Sequence, residues 1–128
     1  MLSGVIVTHA NLAQALRDAA ARVAGDASHL ETVSNDGLAP GEILQQVREA
    51  VRRAGGDGCI LFVDLLGGSC ATSCLQALRD IPNARVVTGV NLAMLADFVA
   101  RRNDFDLDAM VARLLQRGHS SIQELKGP

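Results

Sequence analysis

Two short unbroken apolar runs, Gly4-Val5-Ile6-Val7 and Cys59-Ile60-Leu61-Phe62-Val63, stand out along an otherwise amphipathic chain. Rich in β-branched residues and lacking polar alternation, each predicts a strand covered on both faces of a parallel sheet. Leu30 to Val33 and Arg85 to Thr88 are partly polar and predict strands nearer the sheet edges. Between these runs the apolar period changes to 3.6. Leu12, Ala15, Leu16, Ala19 and Val23 make one stripe, and Ile43, Val47, Ala50, Val51 and Ala54 make a second. Ala71, Cys74, Leu75 and Leu78 continue the pattern, followed by Leu92, Leu95, Phe98 and Val99, and then by Leu107, Met110, Val111 and Leu114. Asn11 with Gln14 reads as a capping box for the first helix, and Ser69 as the cap of the third. Pro40 suits a first helical turn, and Gly55-Gly56 supplies a stop.

The resulting order, β-α-β-α-β-α-β-α-α, implies right-handed crossovers and helices on both faces of a small, doubly wound, mainly parallel α/β sheet. The expected strand order is 2-1-3-4. In that order the loops leaving strands one and three diverge and open a crevice at their carboxyl ends. Ser121 to Leu125 offers a further short edge strand with little apolar content to hold it. No repeat, low-complexity tract or linker divides the chain, so residues 1–128 read as one domain.

Composition narrows the partners. Nearly half of the 128 residues are apolar, enough for one core, yet Trp and Tyr are absent and only Phe62, Phe98 and Phe105 are aromatic. Surfaces for stacking bases or sugars are therefore scarce. The net charge of −2, with Arg and Asp/Glu interspersed, leaves no basic stripe for nucleic acid. The N-terminal residues lack the pattern of a secretory signal, and the apolar runs are too short to cross a bilayer. A soluble cytoplasmic protein with no membrane insertion is expected. Cys59, Cys70 and Cys74, three in number, read as reduced thiols serving as small core residues. Cys70 and Cys74 are four apart and would share a helix face, which leaves a metal or redox pair as an alternative reading, although the CxxC spacing is lacking.

The chemistry gathers at the crevice. Thr8-His9-Ala10-Asn11 follows the first strand, and Asp64-Leu65-Leu66-Gly67-Gly68-Ser69 follows the third. A carboxylate bonded to one imidazole nitrogen fixes the tautomer and leaves the other free as a nucleophile. Asp64 is the candidate partner of His9 and would stabilise the cation that develops when the free nitrogen attacks phosphorus. Gly67, Gly68 and Ser69 at a helix start would present N–H groups to phosphoryl oxygens, without the Lys of a Walker loop or the spacing of a dinucleotide fingerprint. Read singly, His9 is an ordinary loop histidine, Asp64 a turn or cap residue and the glycines turn formers. Their convergence at a switch point favours function. His29 and His119 lack comparable partners and read as surface residues. No metal and no cofactor is expected.

On these residues the chain resembles the enzyme IIA component of the mannose family of the bacterial phosphoenolpyruvate-dependent sugar phosphotransferase system. The resemblance runs nearly end to end, through Ile6-Val7-Thr8-His9, Phe62-Val63-Asp64-Leu65-Leu66-Gly67-Gly68-Ser69 and Gly89-Val90-Asn91-Leu92-Ala93-Met94-Leu95. The phosphotransfer subunit of dihydroxyacetone kinase is less similar. The resemblance implies a phosphohistidine phosphotransferase component: His9 accepts a phosphoryl group from phospho-HPr and passes it to a histidine of IIB for sugar uptake. It also implies that Asp64 partners His9, that Gly67, Gly68 and Ser69 border the phosphoryl group, and that Thr8 and Asn91 border the site. A homodimer is implied, with the C-terminal segment pairing with the other subunit's sheet; an exposed edge strand is otherwise hard to justify. IIB is expected as a separate chain. Three positions depart from the pattern: Ala10 where Gly or a small polar residue is common, Leu66 where an aromatic is common, and Cys70 where Pro often starts the third helix. Two other readings keep the same fold: a regulatory module whose phosphorylation state controls a partner, with no transport role, and a small hydrolase using His9 and Asp64 as acid and base.

Overall fold

The computed structural model describes all residues from Met1 to Pro128. Nine elements follow in the expected order: β1 (Leu2–Thr8), α1 (Leu12–Ala24), β2 (Leu30–Ser34), α2 (Pro40–Ala54), β3 (Gly58–Val63), α3 (Ser69–Ala77), β4 (Ala84–Thr88), α4 (Leu92–Arg101) and α5 (Leu107–Ser120). The four strands form one parallel sheet in the order β2-β1-β3-β4. Every residue of β1 and β3 is buried, which accounts for their unbroken apolar sequences.

Side chains alternate between two cores, one on each face of the sheet. Leu2, Ile6, Ile60 and Phe62 point to a core closed by α1, α4 and α5, where Met94, Leu95, Phe98, Met110 and Leu114 are buried. Val5, Val7, Leu61 and Val63 point to the other core, closed by Ile43, Val47 and Ala50 of α2 and Cys70, Ala71, Cys74 and Ala77 of α3. Arg113 bonds both oxygens of Asp97, at 2.7 and 2.9 Å, and so ties α5 to α4.

Several local expectations shift. The buried residues of α1 are Ala13 and Ala20, with Leu16 partly buried, while Leu12 and Val23 face solvent. The buried face of α1, packed against β1, β2 and α4, is thus rotated away from the larger apolar residues and centred on small ones. In α3, Leu75 is likewise exposed, and Cys70, Ser73 and Ala77 are buried. Asn11 makes no side-chain cap, and Gln14 bonds Asp18 instead of closing a capping box. Gly68 rather than Ser69 is the N-cap of α3. One half of a capping box forms at α2, where the Ala39 N–H donates to Glu42 Oε1 at 2.9 Å. Residues 121–125 form no strand within the chain, and Ile122 and Leu125 are exposed.

Gly4 lies on β1 under the edge-to-face pair of Phe62 and Phe98, whose ring centroids are 5.3 Å apart. A Cβ there would approach Leu30 Cδ2 to 2.8 Å and Phe62 Cε2 to 2.9 Å, inside a core with no room to yield. Gly4→Ala is therefore expected to lower unfolding free energy by about 1–3 kcal/mol; an unchanged denaturant midpoint would refute this packing.

Candidate functional site

The parallel register between β1 and β3 sets Val7 beside Val63, so the chains leave the sheet side by side with His9 and Asp64 at their exits. His9 Nδ1 and Asp64 Oδ2 are 2.9 Å apart. The same Oδ2 accepts the His9 backbone N–H at 3.1 Å, and Oδ1 accepts the Leu65 N–H at 3.0 Å. One carboxylate thus fixes both the ring and the backbone of the histidine. With Nδ1 donating to Asp64, the neutral ring has its lone pair on Nε2. The imidazole is 41% exposed and the Asp64 side chain only 11%, so the carboxylate lies behind a ring that remains accessible.

Burial pushes the Asp64 pKa up, but the backbone and ring bonds from His9, the imidazole charge and the Leu65 N–H together outweigh it. The carboxyl is held below the ordinary aspartate value of 3.8.

The turn carrying His9 is gripped from β2. Asn35 donates its N–H to the Thr8 carbonyl at 3.1 Å, and its Oδ1 accepts the Ala10 N–H at 3.2 Å. Ser34 Oγ donates to the Ala10 carbonyl at 2.6 Å. Ala10 itself has φ +51°, a left-handed conformation that strains an L residue and suits glycine. Opposite, Gly68 has φ +94° and lies against the ring: a Cβ there would be 4.0 Å from His9 Cε1. The first α3 bond runs from the Thr72 N–H to the Gly68 carbonyl, so the N–H groups of Ser69, Cys70 and Ala71 have no acceptor within the helix. Gly67 and Gly68 are exposed and Ser69 partly so, beside the imidazole. This half of the crevice offers donors and a positive helix end to an anion.

Not every candidate residue turns toward the pair. Thr8 is fully buried, with its hydroxyl unpartnered. Asn91 caps α4, accepting the Met94 N–H at 3.0 Å, and donates Nδ2 to the Gly118 carbonyl at 3.2 Å. It borders a separate hollow of 240 Å³ shared with Thr88, Gly89 and His119. His119 is exposed as expected, but His29 is half-buried. The largest hollow, 480 Å³, lies at the opposite end of the sheet, around Met1, Arg102 and Leu107.

Cys70 is brought beside His9 and Asp64, a placement that the sequence reading, which paired it with Cys74 or with the core, did not anticipate. Cys59 and Cys74 are core thiols, pushed up by burial to about 11 and about 12. Cys70 is equally buried, and its thiol is raised by burial and then by the Asp64 charge. Its sulfur lies within 4.8 Å of ligand atoms of both His9 and Asp64. The available signal was its place one residue past Ser69, in the first turn of the helix that follows the site loop.

The family described as "PTS system fructose IIA component" matches residues 3–115. Among solved structures, the phosphotransferase system component EIIA from Streptococcus agalactiae is 21% identical, with a TM-score of 0.88 and 97% of each chain covered. The mannose/sorbose specific IIA subunit from Enterococcus faecalis is 24% identical, with a TM-score of 0.86, over 98% of this chain and 96% of that one. The PTS IIA protein associated with the fucose utilization operon from Streptococcus pneumoniae is 19% identical, with a TM-score of 0.83, over 98% and 93%. No curated protein matches the sequence significantly.

The Asp64 bonds make stability acid-sensitive. Because the folded pKa is depressed, the stabilisation is complete above 3.8 and is lost as pH falls through the lower folded value. Asp64→Asn should flatten the pH dependence of the denaturation midpoint in that acid window; an unaltered slope would contradict the bonding described.

Proposed function

The chain belongs to the family of PTS system fructose IIA components, and from that premise we propose that it is a phosphocarrier in which His9 Nε2 holds the phosphoryl group. The observation that carries the reading is the 2.9 Å bond between His9 Nδ1 and Asp64 Oδ2, with the opposite ring nitrogen left free in an accessible crevice. The phosphoryl group comes from the phosphohistidine of HPr and goes to a histidine of a separate IIB chain for sugar uptake, and the protein works in the cytoplasm.

In the forward step the Nε2 lone pair forms a bond to phosphorus while the donor's N–P bond breaks, and the leaving nitrogen keeps that electron pair. His9 retains its Nδ1 proton, and the cationic character of the phosphorylated ring is balanced by Asp64, which takes no proton. The transferring group carries negative oxygens, matched by the free N–H groups at the start of α3 and by Gly67, Gly68 and Ser69. Little covalent work remains for the protein, so positioning and charge stabilisation supply the rate. Leu65 and Leu66, exposed beside Asp64, give the protein partner an apolar patch to cover. No helix is long and apolar enough to cross a membrane.

Incubation with phosphoenolpyruvate, enzyme I and HPr should add one phosphoryl group by intact mass. His9→Gln should abolish the addition while leaving thermal unfolding nearly unchanged, and Asp64→Asn should slow it by on the order of a hundredfold or more. Wild-type transfer by both variants would remove the assignment. If the phosphorylated protein gives up its phosphate to no IIB chain but binds another protein in one phosphorylation state only, the regulatory reading replaces transport.

The reading includes a homodimer. The outer edge of β4 has no neighbour, and residues 121–125 carry exposed Ile122 and Leu125 past the end of α5. Addition of this segment as a strand on a second copy's sheet would cover both. Light scattering should give a dimer for the full chain and a monomer after truncation at Ser120; equal masses would exclude this mode of exchange.

A further inference from the structure

We propose that Cys70, His9 and Asp64 form an inhibitory binding site for a borderline-soft divalent cation of the Zn²⁺ class. The three side chains offer one sulfur, one nitrogen and one oxygen, with all ligand atoms within 4.8 Å of one another. The ligands of a tetrahedral zinc ion lie about 2.0–2.3 Å from the metal, which sets them roughly 3.3–3.8 Å apart. The ring and carboxylate start at 2.9 Å and need only part slightly, while the sulfur side closes. The movable member is the imidazole, 41% exposed, whereas Cys70 is fixed on α3 within the core.

Donor chemistry selects the ion. A mixed sulfur, nitrogen and oxygen set suits Zn²⁺ and Co²⁺, whereas Mg²⁺ and Ca²⁺ require oxygen ligands. One thiolate and one carboxylate also cancel the divalent charge, so the partly buried site ends neutral. Three protein ligands leave a fourth position of a tetrahedral ion for water.

Binding also redistributes protons. The Cys70 thiol releases its proton to solvent as the metal–sulfur bond forms. The nitrogen facing Asp64 is Nδ1, so the metal takes the place of the Nδ1–H···Oδ2 hydrogen bond, and the neutral ring then carries its proton on Nε2. The lone pair needed for attack on phosphorus is gone. This inhibitory consequence depends on the phosphocarrier reading; the binding itself does not.

Titration of the isolated protein with Zn²⁺ by calorimetry, and with Co²⁺ as an optical probe, separates the two. One ion per chain should bind, with one proton released and a thiolate-to-cobalt charge-transfer band. Cys70→Ser should abolish the band and weaken binding by more than about a hundredfold, beyond what loss of a mere supporting group produces. Cys74→Ala, one turn further along α3, should bind as wild type. His9→Gln provides a second reading should Cys70→Ser fail to fold, and it too should lose the ion. Absence of the thiolate band in the wild type, or equal affinity in either site variant, would overturn the proposal. Metal binding in a protein that HPr fails to phosphorylate would uphold the site and overturn only the carrier reading.

Discussion

Two strands buried on both faces, β1 and β3, pair in parallel with Val7 beside Val63, and the chemistry at the crevice is a consequence of that register. Side chains alternate with a period of two, so a slip of one residue would turn both apolar sets to the wrong cores. Burial of Val5, Ile6, Ile60, Leu61 and Phe62 thus enforces a spatial relation between residues 55 positions apart. The sheet's core brings the pair together, its own hydrogen bonds then fix the ring and the turn, and the flanking loops need only carry each side chain a short way beyond the strand ends.

Asp64 does more than orient a ring. A single oxygen receives both the amide and the imidazole of His9, so rotation of the side chain and displacement of the turn are opposed by one group. The other oxygen is held by the Leu65 amide, which fixes the carboxylate in turn. The ring is thereby held in one orientation beside the start of α3, whose first N–H groups have no acceptor within the helix.

The parts of this arrangement carried by pattern were legible in the sequence. Continuous apolar runs identified the central strands, their alternation with amphipathic segments implied the order β2-β1-β3-β4, and that order placed His9 and Asp64 at one crevice. What depends on contact was not. The buried face of α1 follows Ala13 and Ala20, whose small size matters only once the helix is packed against its neighbours, and periodicity alone favoured the larger Leu12 and Val23. Asn91 stands in a motif beside the site, yet its amide is engaged by Met94 and Gly118, the latter 27 residues away. Cys70 looked like core packing and is core packing; its nearness to the imidazole follows from the tight turn at Gly68, which a linear reading of cysteine spacing does not register.

The grip of Ser34 and Asn35 on the turn that bears His9 gives the edge strand a say in the crevice. Three hydrogen bonds link the two loops, so the position of the imidazole answers to the far end of β2 as well as to the carboxylate that it touches. A change of side chain at this outlying corner can therefore shift the imidazole while His9 and Asp64 themselves stay the same.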